Sequence, residues 1–190
     1  MPNRVQKRWT LEELHSLPDD GNKYELVHGE LFVTPAPTPY HETILARLSR
    51  ILEAYVAANG LGYVFHPRAV IRLGDDTEVE PDLMVRHAPA EVGATWVDVP
   101  LPILVVEVAS ASTRHRDRVD KRNAYAEAGI AEYWLVDGRD RTVRVVRLGG
   151  DDFIATDSFD WYPTGGDAPL AIRLVDVFGP TANSSLAVEK

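Results

Sequence analysis

The chain has 190 residues, 45% hydrophobic and 26% charged, with a formal net charge of −9. That is the composition of a globular domain with a sizeable core, and no apolar run approaches the ~20 residues that span a bilayer. The acidic total excludes a whole-surface basic footprint for nucleic acid, and the absence of cysteine excludes disulfides, thiolate metal sites and cysteine nucleophiles.

The N-terminal stretch MPNRVQKRWT has no apolar signal region, and together with the lack of cysteine this leads to the expectation of a cytoplasmic protein. Residues 1–9 read as a loose tail. In TLEELHSLP, Thr10 and Glu13 have capping-box spacing, with Leu11, Leu14 and Leu17 on one side of a short helix. KYELVHGELFV alternates about His28-Gly29, which predicts a hairpin with a two-residue turn. Tyr24, Leu26, Leu31 and Val33 would share one face; Glu25, Val27, Glu30 and Phe32 would share the other.

TPYHETILARLSRILEAYVAANG carries the clearest helix, with Thr38 as cap, Pro39 in the first turn and Gly60 at its end. Ile44, Leu45, Leu48, Ile51, Leu52, Tyr55 and Val56 form its stripe. Strand-like segments follow at 62–73, 81–86 and 103–109, then a second helix over about 114–128. EYWLVD reads as a strand, TVRVVRLGGDDFIATD as a hairpin, WYPTGGDAP as a loop, LAIRL as a short strand and VDVFG as a helical turn. Residues 180–190 read as a frayed tail. This order predicts one mixed α/β domain over 10–179, with an N-terminal helix and hairpin and a sheet flanked by helices.

The stretch 101–108, LPILVVEV, reads as a buried strand interrupted by one carboxylate, Glu107. Burying it is costly unless a cation meets it. Alternation puts Glu107 on the side of Ile103 and Val105. If the 82–86 strand is its neighbour, Asp82, which opens that strand after Pro81, can sit beside it. Two adjacent carboxylates repel, and a divalent cation between them removes the repulsion; oxygen ligands favour Mg²⁺ or Mn²⁺. The carbonyl of Val108 is a further candidate ligand.

Lys121 lies on the second helix, on the face that carries Asp117, Ala124, Tyr125 and Ala128. Small and aromatic residues there predict that the face meets the sheet and the ammonium points inward, steered by Asp117 and Tyr125. An ammonium beside metal-activated water can hold the nucleophile or stabilise charge on phosphate. The segment RHRDRVDKR, 114–122, supplies a local basic strip for a nucleic-acid backbone.

Taken singly, each residue has a plainer reading. Asp82 can satisfy loop amides, Glu107 can pair with an arginine, and a helical lysine is usually solvated. Tyr133 and Trp134 read as core, and Arg139, Arg141, Arg144 and Arg147 as the exposed side of a hairpin. His41-Glu42 starts like a metalloprotease motif, but position 45 is Leu45; His41 is expected to bond locally more than to edge the site. No nucleophile elbow, P-loop or dinucleotide fingerprint is present.

YELVHGEL, EPDLMV, LVVEVASAST, DRVDKRNAYAEAGIAEYWLVD and LAIRLVDVF together resemble the Uma2 (DUF820-like) family of the PD-(D/E)XK restriction-endonuclease-like superfamily. The resemblance implies that superfamily's mixed sheet flanked by helices. It also implies Asp82 and Glu107 as the acidic pair of a metal-dependent nuclease. In the simple motif a lysine stands two positions after the glutamate, where this chain has Ala109; the family resemblance moves it to the next helix and selects Lys121. Glu30 or Glu25 resembles a further acidic position of the family. The expected activity is Mg²⁺- or Mn²⁺-dependent hydrolysis of nucleic acid, DNA above all, by a chain with no membrane contact that can form a homodimer. The alternatives are a catalytically idle module that binds protein or nucleic acid, and a phosphatase of small phosphate esters.

Overall fold

The computed structural model describes residues 7–87, 92–110 and 117–180, and of Arg118 only the backbone. Most of the expected tails at 1–9 and 180–190, and the start of the second helix at 114–116, lie outside the described residues. Helix α1 (Leu11–His15) has the expected reciprocal cap. The Thr10 hydroxyl accepts the Glu13 amide at 3.2 Å, and the Glu13 carboxylate accepts the Thr10 amide at 3.0 Å. Strands β1 (Lys23–Val27) and β2 (Glu30–Thr34) form the hairpin. Its corner residues His28 and Gly29 have φ of 49° and 77°, the left-handed pair that a two-residue turn requires. Helix α2 (Pro39–Ala58) starts from Thr38, whose side chain accepts the His41 amide.

The centre is a six-stranded sheet. In spatial order it holds β10 (Phe153–Ala155), β9 (Thr142–Arg147), β8 (Glu132–Asp137), β7 (Leu104–Ala109), β6 (Leu83–Arg86) and β3 (Tyr63–Phe65). Only the β7–β8 pair in it is parallel. Its crossover contains a π-helical turn, Asp117–Lys121, that runs into helix α3 (Arg122–Glu127). A second sheet has the order β2, β1, β5 (Glu78–Val79), β4 (Ile71–Arg72), and β11 (Ser158–Trp161) pairs with β12 (Leu170–Arg173) ahead of helix α4 (Leu174–Phe178).

Strand alternation gives the central sheet two buried faces. On one, Leu83, Val85, Val106 and Trp134 pack with Ile44, Leu48, Leu52 and Val56 of α2. Phe159 and Trp161 meet Trp134 there edge-on, with ring centroids 4.9 and 5.7 Å away. On the other, Met84, Val105, Tyr133 and Leu135 pack with Ala124 and Tyr125 of α3 and with Val27, Ile71 and Val79 of the second sheet. The site lies on this second face. No helix among the described residues is long and apolar enough to cross a membrane.

Several local expectations need correction. The 62–73 segment is two short strands in different sheets, because the chain turns between them at Pro67 and at Arg68, whose φ is 79°. Strand β5 has only two residues, too few for a period to show. Trp161 belongs to β11 and not to a loop, since its ring completes the aromatic cluster. Ile103 precedes β7 and packs on the α2 side, so alternation from Glu107 does not extend to it. Arg141 and Arg147 do not merely decorate a hairpin: Arg141 donates to the Phe178 and Gly179 carbonyls, and Arg147 bonds Glu132 at 3.2 Å and the Asp160 carbonyl at 2.8 Å.

One close approach sets the α2–β3 connection. Gly62 has φ of 108°, and a Cβ on it would lie 2.0 Å from the Arg86 carbonyl oxygen. Backbone cannot yield as a flexible side chain does. Gly62→Ala is therefore expected to destabilise the fold by at least ~2 kcal/mol, read as a lower urea midpoint at unchanged slope.

Candidate functional site

Antiparallel pairing sets Leu83 opposite Val106 and Met84 opposite Val105. One step further in the same register, Asp82 faces Glu107. Cross-strand neighbours have Cβ atoms about 4.5–5.5 Å apart, so the fold puts the two carboxylates side by side on the face covered by α3 and the second sheet. Both line a cleft of about 860 Å³, with Lys23, His41, Val108 and Ala109. The cleft opens where the parallel strands β7 and β8 end, a usual place for ligands in sheets with crossover connections.

Glu107 is 2% exposed and its Oε1 accepts the Lys121 ammonium at 2.7 Å and the Tyr125 hydroxyl at 2.9 Å. The same ammonium lies 2.7 Å from Glu25 Oε1 and 3.9 Å from Asp117 Oδ1. Glu25 Oε1 also accepts the Glu80 amide at 3.0 Å. Asp82 is held at the cleft: its Oδ2 accepts the Val108 amide at 2.8 Å and meets His41 Nε2 at 3.2 Å. Its Oδ1 lies 3.4 Å from Lys23 Nζ, which also donates to the Glu80 carbonyl at 3.0 Å.

The charge states follow from these contacts. Burial would raise the Asp82 carboxyl, but the Lys23 charge, His41 and the Val108 amide outweigh it and hold Asp82 well below the usual carboxylate range. Glu107 goes the other way. Burial, joined by repulsion from Asp82 and Asp117, exceeds the pull of Lys121 and Lys23 and pushes it up to about 7. Burial opposes the charge of Lys121, yet Glu107 and Glu25 keep its ammonium above the ordinary value. Lys23 is likewise raised, because Glu25 and Asp82 outweigh burial. Burial and then the Glu107 charge raise Tyr125 well above the ordinary tyrosine value, so its hydroxyl stays protonated and donates.

Of the residues singled out in the sequence, Asp82, Glu107, Lys121, Glu25, Asp117 and Tyr125 come together. Glu30 does not: it is exposed on β2, paired with Val27 across the hairpin, whereas Glu25 is fully buried. Tyr125 reaches Glu107, where it was expected to steer Lys121. Lys121 is 0% exposed, so its ammonium does not itself face the cleft. The basic strip 114–122 also changes character. Arg114 and Arg116 lie outside the described residues, as does the Arg118 side chain; Lys121 is buried, and Arg122 pairs with Asp152 at 2.7 Å.

One neighbour, Lys23, went unrecognised in the sequence, and a second, His41, reaches the site where a local bond was the first expectation. Lys23 precedes Glu25 by two positions on one strand, so alternation already placed both on one face. His41 makes its hydrogen bond to the site: Nε2 meets Asp82 Oδ2 at 3.2 Å, while Nδ1 lies 3.4 Å from its neighbour Glu42 without a hydrogen bond. A histidine one turn into a capped helix gives no sequence signal for a partner forty-one positions on.

Among the described residues no group of three or more histidine, aspartate or glutamate side chains is arranged as a cation cage. Mg²⁺, however, is commonly held by one or two carboxylates, with water and substrate phosphate completing its octahedron. Asp82 and Glu107 fit that mode. They supply oxygen donors and they line an open cleft.

The chain matches the family model of Uma2, described as "Putative restriction endonuclease", over residues 11–167. Among solved structures it is similar to "a putative nuclease belonging to DUF820" from Anabaena variabilis ATCC 29413. The TM-score is 0.75 at 21% identity, covering 89% of this chain and 97% of that one. No curated protein matches. The structural likeness establishes the restriction-endonuclease-like fold expected from the sequence, and the family match spans most of the chain: this protein is a member of the Uma2 family.

Proposed function

We propose that the protein is a divalent-metal-dependent nuclease that hydrolyses phosphodiester bonds of DNA. The observation that carries this is the facing pair of carboxylates, Asp82 and Glu107, that line the cleft. Mg²⁺ or Mn²⁺ held by the two carboxylates, with the Val108 carbonyl, would polarise the phosphate and activate water. The chain supplies the rest. The Val108 amide and His41 fix one oxygen of Asp82, so that carboxylate is oriented before anything binds. Lys121 and Tyr125 fix Oε1 of Glu107, and Glu25 and Asp117 compensate the buried ammonium. Lys121 is thus a positioning residue that acts through Glu107.

A second reading has an observation of its own. Lys23 and Lys121 already neutralise the acidic pair, so the site is self-consistent without an ion. That would suit an idle module that uses the fold to bind protein or nucleic acid. Calorimetry separates the two: the nuclease takes up Mn²⁺ and Glu107→Gln abolishes uptake, whereas the module takes up none at millimolar concentration.

Activity is the direct test. Wild type is expected to cut plasmid or single-stranded DNA with Mg²⁺ or Mn²⁺, and Asp82→Ala to lose roughly 10²- to 10³-fold in rate, the scale on which one electrostatic contributor to catalysis is lost. Equal rates for wild type and Asp82→Ala would sink the assignment. Hydrolysis of p-nitrophenyl phosphate without DNA cleavage would move it to phosphate esters.

Metal affinity should also depend on pH. Below about 7 a proton on Glu107 competes with the ion, while Asp82 stays ionised. The apparent Mn²⁺ dissociation constant is therefore expected to fall roughly tenfold per pH unit from pH ~5.5 to ~7, then level off. A flat titration over that range would show that Glu107 is not a ligand.

A further inference from the structure

We infer that Lys23, on the first hairpin, is the ammonium group that touches the scissile phosphate, and that Lys121 stays behind the carboxylates. The inference rests on the nuclease reading and extends it by one catalytic residue. The two lysines form two layers. In the inner layer Lys121 spends its donors on Glu107 and Glu25, both at 2.7 Å, with no exposed surface. In the outer layer Lys23 lines the cleft with its side chain 18% exposed. Its one close contact is the Glu80 carbonyl at 3.0 Å; Asp82 is 3.4 Å away and Glu25 4.0 Å. Charge-assisted N–H···O bonds are normally about 2.7–2.9 Å, so the Lys23–Asp82 contact is loose, and an ammonium has three donors to give.

The hairpin aims this group. Lys23 and Glu25 alternate onto one face of β1, so when Glu25 docks on Lys121 two residues deeper, Lys23 is carried to the cleft wall beside Asp82. Its cross-strand partner Thr34 lines the same wall. On the opposite strand Ala109, two positions after Glu107, also lines the cleft and has no donor in its side chain. A phosphate entering beside Asp82 and Glu107 therefore meets Lys23 before any other ammonium among the described residues.

The step is a plain hydrolysis. The water oxygen forms a bond to phosphorus, the bond to one ester oxygen breaks with its electron pair staying on that oxygen, and a proton from water ends there. Lys23 remains protonated throughout. It donates to a non-bridging oxygen and stabilises the charge that grows on it.

The experiment compares Lys23→Met, Lys23→Arg and wild type by plasmid cleavage with Mg²⁺, by Mn²⁺ calorimetry, and by anisotropy of a fluorescent single-stranded oligonucleotide with Ca²⁺ in place of Mg²⁺. Lys23→Met is expected to lose about 100-fold in kcat and roughly tenfold in oligonucleotide affinity, with Mn²⁺ affinity within about threefold of wild type. Lys23→Arg should recover at least about tenfold of the lost rate, since guanidinium also serves phosphate. A Lys23→Met protein within about threefold of wild type in both kcat and oligonucleotide affinity overturns the inference. If wild type cuts nothing, the nuclease reading fails by itself. The oligonucleotide arm then decides the phosphate contact alone: loss of affinity in Lys23→Met supports it, and unchanged affinity overturns it.

Discussion

The arrangement depends on one buried ion-paired knot, the Lys121 ammonium between Glu107 and Glu25. Each of the three comes from a different element: the crossover turn before α3, central strand β7 and hairpin strand β1. All three are at most 2% exposed. Such a knot gives little net stability compared with a well-packed apolar one, because desolvation offsets most of the attraction. Breaking it is another matter, since removing one partner strands a buried charge at a cost of about 3–5 kcal/mol. The knot therefore acts as a register device. It admits one placement of hairpin and helix against the sheet, and that placement brings Lys23 and Asp82 to the cleft.

The crossover geometry contributes to this. Asp117–Lys121 forms a π-helical turn before α3 continues as an ordinary helix. Single π turns recur at functional sites because they redirect side chains without ending a helix. Here Lys121 and Tyr125, four apart, converge on the same oxygen of Glu107. Tyr133, on the neighbouring strand β8, returns a hydrogen bond to the Asp117 carbonyl at 2.9 Å and stacks obliquely on Tyr125 at 5.2 Å. The helix start is thus tied to the sheet by polar contacts where its own hydrogen-bond ladder is widened.

Much of this was legible in the sequence, for identifiable reasons. The capping box at Thr10, the His28-Gly29 turn, the Thr38 cap and the EYWLVD strand are local signals, and the structure shows each of them. Glu107 declared itself because a carboxylate in an apolar strand demands a partner. The choice between Glu25 and Glu30 was not legible, since alternation puts both on one hairpin face and only the second sheet's packing buries Glu25. Lys23 was missed, and the site contact of His41 was ranked second, for a related reason. Their partner, Asp82, is 59 and 41 positions away, and only the docking of hairpin and long helix on opposite flanks of β6 joins them.

An acidic chain can still present a phosphate site because its cluster is graded in depth. The inner carboxylates Glu107 and Glu25 are met by a lysine that solvent never reaches. The outer carboxylate, Asp82, is met by Lys23 and by His41, itself raised because, although burial opposes it, its bond to Asp82 prevails. Negative charge is thus compensated from behind, and in front Lys23, His41 and the exposed Arg139 beyond the end of β8 line the cleft alongside Glu42 and Glu80. Interactions between exposed charges fade over roughly 8 Å at physiological salt. The acidic groups spread over the remaining surface therefore govern long-range encounter more than the contact itself. On this view the net charge limits how readily nucleic acid arrives, and the layered ammonium groups decide what happens to a phosphate once it is there.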